Sequence, residues 1–214
     1  MTAQQDFVRD PVTFMQQNIL RCQFFDGGVK ISDTQPLVVT VKVMNGDPKI
    51  VNRPDGKVYY LTTDVTGCDH TSKVPIFWLG YKDNDTVRGM LNNNSPLMFT
   101  ANMDGCTLGV GSQNGAGGCL VSHANSKKSG GGSGQALDQH TQLRDVFDGG
   151  DFWTVDPTSY MDGMGGTHVF KGTNFGVNQK GWWMFYTHRW MQMGGSSAGS
   201  YVHGGTDEAN FVPG

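Results

Sequence analysis

Residues 97–125 are LMFTANMDGCTLGVGSQNGAGGCLVSHAN, and the rest of the chain is organised around them. At their centre is Asn114-Gly115, a pair typical of two-residue type I′ turns, because both turn positions need a positive φ angle. A hairpin folded about this pair sets Cys106 directly opposite His123. Opposed residues of an antiparallel ladder hold their Cβ atoms roughly 4.5–5.5 Å apart on one face. The pattern therefore predicts a thiol beside an imidazole, a prediction that a one-residue slip of the ladder would undo.

Length and composition favour one globular domain over residues 1–214, with glycine at 31 positions and a net charge of −3. The 16 basic residues are thinly spread and outweighed by 19 acidic ones, which argues against nucleic-acid binding. No apolar run is long enough for a membrane span, and the first ten residues do not resemble a cleavable signal peptide. We expect synthesis in the cytosol and four reduced cysteines.

Short apolar runs separated by turn signals predict an α+β fold, a mostly antiparallel sheet or β-sandwich flanked by helices. A first helix is predicted from its N-cap Asp10 and Pro11 to the DGG at 26–28, with Cys22 on its buried face. A second is predicted over Ala136–Phe147. Residues 126–134 are interpreted as a flexible loop and those from about 194 to 214 as an irregular tail.

The strands are predicted in one sheet, whose last two members are the hairpin arms that carry Cys106 and His123. The earlier members are the apolar runs that begin at Val29, Leu37, Lys49, Lys57, Val74 and Leu97. Pro54-Asp55-Gly56 supplies the turn between the third and the fourth run.

Other candidate sites are weaker. Cys68 and His70 also form a Gly-Cys-x-His segment, but TGCDH is typical of a turn. His168, His188 and His203 lack the spacing of metal ligands, and the glycine clusters match no phosphate-binding motif, so we expect neither a metal nor a cofactor. The Cys106–His123 pair is the most specific signal in the sequence.

FTANMDGCTLGVG followed by CLVSHAN resembles the catalytic hairpin of the cysteine glutamine deamidases. This family includes the catalytic domain of cytotoxic necrotising factor, the bacterial chemoreceptor glutamine deamidase and Burkholderia lethal factor. Its Leu-Ser-Gly-Cys motif corresponds to Met103-Asp104-Gly105-Cys106 here, with the histidine following at His123. The resemblance covers about thirty residues, and it implies a deamidase-like β-sandwich.

The resemblance also implies roles. Cys106 would be the nucleophile and His123 the base, and the main-chain carbonyl of Thr100, six residues before the cysteine, would orient the imidazole. Independently of the resemblance, we expect the backbone amides around Gly105 and Cys106, with Asp104 beside them, to stabilise the oxyanion, because glycine allows close approach. Asp104 replaces the family serine, and a carboxylate on the same face as Cys106 would oppose the thiolate unless the chain turns at Gly105.

The function expected from this resemblance is deamidation of a protein glutamine by a bacterial toxin or effector. It would be made in the bacterial cytoplasm and act as a monomer in the cytosol of a target cell, on a protein such as a translation factor or a GTPase. Three alternatives stay open: another Cys-His amide hydrolase such as a peptidase, a transglutaminase with an amine as acceptor, and a non-catalytic binding or structural protein in which the pair merely packs.

Overall fold

A computed structural model of the chain describes residues 2–22, 25–26, 29–30, 37–63, 73–126, 132–161, 170–193 and 200–214. Over these residues the helices are α1 (Ala3–Arg9), α2 (Pro11–Gln17) and α3 (Gly132–Val146), with a 3-10 turn at Pro157–Ser159. The strands are β1 (Ile19–Cys22), β2 (Phe25–Asp26), β3 (Val29–Lys30), β4 (Leu37–Lys49), β5 (Lys57–Thr62), β6 (Val74–Leu79), β7 (Asp85–Leu91), β8 (Leu97–Thr100), β9 (Thr107–Gly111), β10 (Cys119–Asn125), β11 (Phe152–Val155), β12 (Lys171–Gln179), β13 (Trp182–Gln192), β14 (Tyr201–Glu208) and β15 (Val212–Pro213).

The strands form two main sheets. The larger has the order β1-β5-β4-β6-β8-β12-β13-β14, and the smaller has the order β15-β11-β9-β10-β7. Neighbours are antiparallel except in the pairs β1–β5 and β6–β8, while β2 and β3 pair with each other. The chain is therefore mostly β with a few helices, in agreement with the predicted α+β class.

The predicted single sheet is wrong, because the hairpin arms belong to the smaller sheet and Leu97–Thr100 to the larger one. The segment between them carries only an isolated bridge, from Met103 to Gly172, and takes the chain from one sheet to the other. Strand β7, which sequence reasoning missed, pairs with the outer edge of β10.

The helices and the two main sheets form four layers. Successive side chains of one strand face different layers, because side chains alternate along a strand. On β8, Phe99 packs with Phe7 of α1, with ring centroids 6.1 Å apart, while Met98 points the other way into the core between the sheets. That inter-sheet core also holds Leu108 of β9. On the outer face of the smaller sheet, Leu143 of α3 packs with Ala124 of β10.

The prediction that Asp10 caps a helix is confirmed: it is the N-cap of α2, and its carboxylate accepts a hydrogen bond from the Thr13 N–H at 2.9 Å. This helix was predicted as the first element, which is wrong because α1 precedes it. The predicted end is wrong: the helix stops at Gln17, and Ile19–Cys22 form β1 in parallel with β5. An apolar run of four residues fits the period of a helix and that of a strand, and pairing with Val58–Leu61 favours the strand. Cys22 is buried in the core as predicted, with 6% of its surface exposed.

Two further boundaries differ from the predictions. Helix α3 begins at Gly132 rather than Ala136, which shortens the predicted loop at 126–134, and residues 127–131 of that loop lie outside the described residues. The predicted irregular tail is wrong for β14 and β15, because β14 pairs with β13 and β15 with β11. The predicted turn at Pro54-Asp55-Gly56 is confirmed by the hydrogen bond from the Gly56 N–H to the Arg53 carbonyl.

Candidate functional site

The β9–β10 hairpin has a register two residues away from the predicted one. His123 faces Leu108, and Val121 faces Val110, so the prediction that Cys106 directly faces His123 is wrong. The physical reason is the tip, which is longer than a two-residue turn. The Asn114 N–H donates to the Gly118 carbonyl at 3.1 Å, and positive φ angles fall at Gly115 and Gly117.

Asn114 itself has no positive φ angle, so the tip cannot be a type I′ turn. Its side-chain Oδ1 instead accepts hydrogen bonds from the N–H groups of Ala116, at 3.0 Å, and Gly118, at 2.9 Å. This cap satisfies the loop amides internally and so stabilises the wider tip.

A shift of two residues preserves the face of every side chain, because the side-chain period of a strand is two. Cys106, directly before β9, packs in the inter-sheet core with Leu108, the residue opposite His123. Extending the ladder by one step makes Cys106 and His123 diagonal neighbours on that face, with their Cα atoms roughly 7–8 Å apart. The fold thus keeps the thiol and the imidazole on one face of the hairpin, as diagonal neighbours.

The main chain at Cys106 is held by Tyr160, which is fully buried. The Tyr160 hydroxyl accepts a hydrogen bond from the Gly105 N–H at 3.1 Å and donates one to the Cys106 carbonyl at 2.6 Å. Burial, and then the proximity of Cys106, raise the pKa of Tyr160 well above its usual value, so the hydroxyl stays protonated and able to donate. Sequence reasoning missed Tyr160, which lies 54 residues from Cys106 in the chain.

His123 is fully buried, and burial lowers its pKa to about 4. The main-chain carbonyls of Gly80 and Leu79 lie near enough to oppose this shift, as does the charge of Asp104. Neither ring nitrogen has a hydrogen-bond partner of good geometry within the part of the chain that the structure describes. The imidazole is therefore neutral at neutral pH, with a ring nitrogen able to accept a proton.

The carbonyls beside His123 thus come from the end of β6, and the sequence held no signal for them. Thr100, whose carbonyl was predicted to orient the imidazole, ends β8 and pairs with Leu79 of β6. Its hydroxyl accepts a hydrogen bond from the Asn174 N–H at 3.1 Å. The role of the Thr100 carbonyl stays a prediction, with Leu79 and Gly80 as the carbonyls that the structure brings to His123.

Asp104 is exposed and forms an ion pair with Lys171 at 3.5 Å. Gly105 has a φ angle of +121°, a conformation that favours glycine, so the extended chain that would align Asp104 with Cys106 is interrupted there. The carboxylate is nevertheless close enough to raise the pKa of His123.

Helix α3 contacts the peptide that joins Gly105 to Cys106. The Gly105 carbonyl accepts hydrogen bonds from the side-chain Nε2 atoms of Gln135, at 2.9 Å, and Gln139, at 2.7 Å. Gln139 is fully buried, and its Oε1 accepts a hydrogen bond from the Thr107 hydroxyl at 2.6 Å. Sequence reasoning assigned a site role to neither glutamine: Gln135 lies just before the predicted helix Ala136–Phe147, and Gln139 lies within it.

The structure does not support the other candidate sites among the residues that it describes. Cys68, His70 and His168 lie outside the described residues. His188 and His203 are buried with ring centroids 5.3 Å apart, and their nitrogens are engaged: His188 Nδ1 lies 2.7 Å from the Thr206 hydroxyl, and His203 Nε2 lies 2.7 Å from the Met15 carbonyl. Within the described ranges, no three His, Cys, Asp or Glu side chains cluster as metal ligands would.

Of the cysteines that the structure describes, Cys22, Cys106 and Cys119 are buried and not in disulfide bonds. Among the helices that the structure describes, none combines the length and the apolar character that crossing a membrane would require. No protein-family model and no curated protein matches the chain. The fold and the site therefore define the class: a mostly β protein of two packed sheets with a buried cysteine–histidine pair between them.

Proposed function

We propose that the chain is a cysteine-dependent protein glutamine deamidase, in which Cys106 is the nucleophile and His123 the general base and acid. The observation that carries this proposal is the placement of Cys106 and His123 on one face of adjacent antiparallel segments. Both are buried against the second sheet, with 4% of Cys106 and none of His123 exposed. Covalent amide chemistry needs a nucleophile and a base that can come within hydrogen-bond reach of each other.

The chemistry follows from the poor electrophilicity of a carboxamide. His123 would take the thiol proton of Cys106, and the thiolate would attack the side-chain carbonyl carbon of a substrate glutamine to form a tetrahedral oxyanion. As the carbon–nitrogen bond breaks, the imidazolium returns the proton to the departing ammonia and a thioester remains. Water then gives a proton to His123 and its oxygen to the thioester carbon, which releases glutamate and the Cys106 thiol.

The lowered pKa of His123 supports its role as a base, because the ring is unprotonated at neutral pH. The same burial disfavours a charged imidazole in the resting protein. Asp104, which forms an exposed ion pair with Lys171, lies directly before the turn at Gly105.

The resemblance of residues 97–125 to the deamidase hairpins extends the proposal to a deamidase-like sandwich and to a bacterial effector that alters a protein of a target cell. One new carboxylate on the surface of a translation factor or a GTPase would change how that protein binds its own partners.

The experiment is peptide mass spectrometry of a eukaryotic lysate incubated with the wild type, with Cys106→Ser and with Cys119→Ser. Cys119 is the matched control, because it is buried in the same inter-sheet core and burial raises its pKa to about 12. We expect one or a few glutamines to become glutamate with the wild type and with Cys119→Ser, and none with Cys106→Ser.

An amine joined to the glutamine in place of water would identify a transglutaminase instead. Glutamine unchanged in every sample, together with a Cys106 that resists iodoacetamide as Cys119 does, would show that the pair only packs and would overturn the proposal.

A further inference from the structure

We propose that Asn125 recognises the side-chain carboxamide of the substrate glutamine, with its Oδ1 atom accepting a hydrogen bond from the amide nitrogen. This inference rests on the proposed function, because it names a residue that selects the substrate of the Cys106–His123 pair. It starts from the register of the β9–β10 hairpin and from the buried Oδ1 atom of Asn125.

Asn125 lies across the hairpin from Cys106. In the observed ladder Ala124 faces Thr107, so one further step sets Asn125, the last residue of β10, opposite Cys106. Opposed residues of an antiparallel ladder hold their Cβ atoms roughly 4.5–5.5 Å apart on one face. His123 lies two residues earlier on β10 and therefore shares that face. The Asn125 side chain is thus a neighbour of both members of the pair.

The polar atoms of this face are buried but not paired. Only 2% of Asn125 is exposed, and among the residues described its Oδ1 has no hydrogen-bond partner of good geometry. The same holds for the two ring nitrogens of His123. Most buried polar atoms of native proteins have a partner, so such exceptions need an explanation. Three of them beside one cysteine fit a site whose hydrogen bonds are completed by a substrate.

Asp83 determines which end of the Asn125 amide is left for a substrate. Asn125 Nδ2 donates a hydrogen bond to Asp83 Oδ1 at 3.4 Å. A carboxylate only accepts hydrogen bonds, so the amide nitrogen faces Asp83 and the amide oxygen does not. Asp83 is an exposed residue of the loop between β6 and β7. Asn125 therefore offers an acceptor, rather than a donor, beside Cys106.

An acceptor at this point distinguishes glutamine from glutamate. The carboxamide nitrogen carries two N–H donors and the departing ammonia carries three, so Oδ1 can accept a hydrogen bond before and after the carbon–nitrogen bond breaks. The carboxylate product has only acceptor oxygens, and it would leave Oδ1 buried and unpaired. A site built to hydrogen-bond an N–H group rejects a ligand that lacks it. The arrangement thus favours binding of glutamine and release of glutamate.

Two neutral reagents of similar size test this preference. Iodoacetamide carries a carboxamide with two N–H donors, whereas methyl iodoacetate carries an ester with none, and both alkylate a thiol with loss of iodide. The two rates are measured at the Cys106 peptide by mass spectrometry. Their ratio is divided by the ratio for glutathione, which corrects for the different intrinsic reactivity of the reagents.

The variants are Asn125→Leu, which removes the amide, and Asp83→Ala, which releases its orientation. Ser122→Ala is the matched control. Ser122 is fully buried on the opposite face of β10, where its hydroxyl donates to the Val87 carbonyl at 3.3 Å.

In the wild type we expect the corrected amide-to-ester ratio to be at least about five, the factor that one hydrogen bond of ordinary strength contributes. Asn125→Leu should lower it to about one, Asp83→Ala should lower it at least about twofold, and Ser122→Ala should leave it unchanged. If Asn125→Leu fails to fold, Asp83→Ala carries the test, because Asp83 is exposed.

A wild-type ratio of about one, or a ratio that survives substitution of Asn125 and of Asp83, would overturn the inference. Equal slowing of both reagents in Asn125→Leu would also overturn it, since the residue would then only support the fold. These results leave the conversion of glutamine in the lysate as a separate test of the proposed function. A wild-type Cys106 inert to both reagents overturns the inference, and with every glutamine unchanged it overturns the proposed function as well.

Discussion

Tyr160 donates a hydrogen bond to the main-chain carbonyl of Cys106 at 2.6 Å. The same hydroxyl accepts a hydrogen bond from the N–H of Gly105, so one buried side chain binds two consecutive residues of the turn that precedes β9. The ring packs against Gly172 of β12, where an added Cβ would lie 2.9 Å from Tyr160 Cγ. The main-chain conformation at Cys106 therefore depends on contacts between the two sheets.

We predict that Tyr160→Phe lowers the free energy of unfolding by about 1–3 kcal/mol, because a buried N–H and a buried carbonyl each lose their partner. Urea denaturation measures this. The control is Tyr186→Phe, whose ring stacks on Phe175 with centroids 5.2 Å apart and keeps that contact. We expect the control to change stability by less than about 0.5 kcal/mol, and an equally small effect at Tyr160 would contradict the prediction.

Burial of His123 predicts a loss of stability in acid. Its folded pKa of about 4 lies below the ordinary value of 6.5, so between these two values the unfolded state binds a proton that the folded state does not. The free energy of unfolding should therefore fall as pH decreases from about 6.5 to about 4. The contribution of this residue is on the order of 3 kcal/mol.

Urea titrations at pH 7, 6 and 5 check this for the wild type and for His123→Gln. The variant should take up about one proton fewer on unfolding below pH 6. His188 and His203 remain in both proteins, and burial lowers their pKa values too, so a residual slope is expected. An identical slope in the two proteins would refute the assignment to His123.

Substitution of Asp104 or Asp207 tests how a nearby carboxylate affects the pKa of one buried histidine. The charge of Asp104 raises the pKa of His123, and that of Asp207 raises the pKa of His203. We predict that Asp104→Asn lowers the titration midpoint of His123 alone, and that Asp207→Asn lowers that of His203 alone. NMR titration of the imidazole resonances distinguishes them.

Each aspartate also pairs with a basic side chain at the surface, Lys171 for Asp104 and Arg189 for Asp207. Because exposed ion pairs contribute little, neither substitution should change the free energy of unfolding by more than about 1 kcal/mol. Movement of both histidines in either variant would mean that the fold, not the local charge, had changed.

Alanine substitutions at Gly117 and Gly149 distinguish the cost of steric crowding from the cost of backbone strain. Both have positive φ angles, +84° and +71°, so an alanine costs about 1–2 kcal/mol at either position. A Cβ at Gly149 meets nothing within 4 Å, whereas one at Gly117 would lie 2.1 Å from Asn93 Oδ1. Asn93 also donates to the Ala116 carbonyl at 2.9 Å, a contact that would be displaced.

We therefore predict that Gly117→Ala lowers the stability by about a further 1–2 kcal/mol compared with Gly149→Ala. Thermal unfolding of the two variants gives the comparison. Equal melting temperatures would indicate that the hairpin tip rearranges without loss, and that its hydrogen bonds do not hold the register.

Much of the local structure could be predicted from the chain. Asp10 and Pro11 mark the start of α2, and Pro54-Asp55-Gly56 marks a turn, because capping and turn chemistry depend on a few neighbouring residues. The boundaries that failed were those where a distant strand competes with local preference. Ile19–Cys22 could extend a helix or form a strand, and pairing with β5 resolved this ambiguity.

The Cys106–His123 pair shows the same division between what the local sequence determines and what tertiary contacts determine. The spacing of Cys106 and His123 about a hairpin tip places them on one face for any register shift of an even number of residues, because side chains alternate with a period of two. That much followed from the amino-acid sequence. The actual register depends on the Asn114 cap and on the Gly117 N–H, which donates to the Gly181 carbonyl in the turn between β12 and β13.

The surroundings of the pair came from packing between layers. The Leu79 and Gly80 carbonyls reach His123 from the larger sheet, Tyr160 reaches Cys106 from a later loop, and Gln139 reaches Gly105 from α3. No local pattern encodes such contacts, because each joins residues more than thirty positions apart and depends on how whole sheets and helices stack. The local sequence thus supplies Cys106 and His123 on one face, and the stacking of the layers sets the burial of both residues and lowers the pKa of His123.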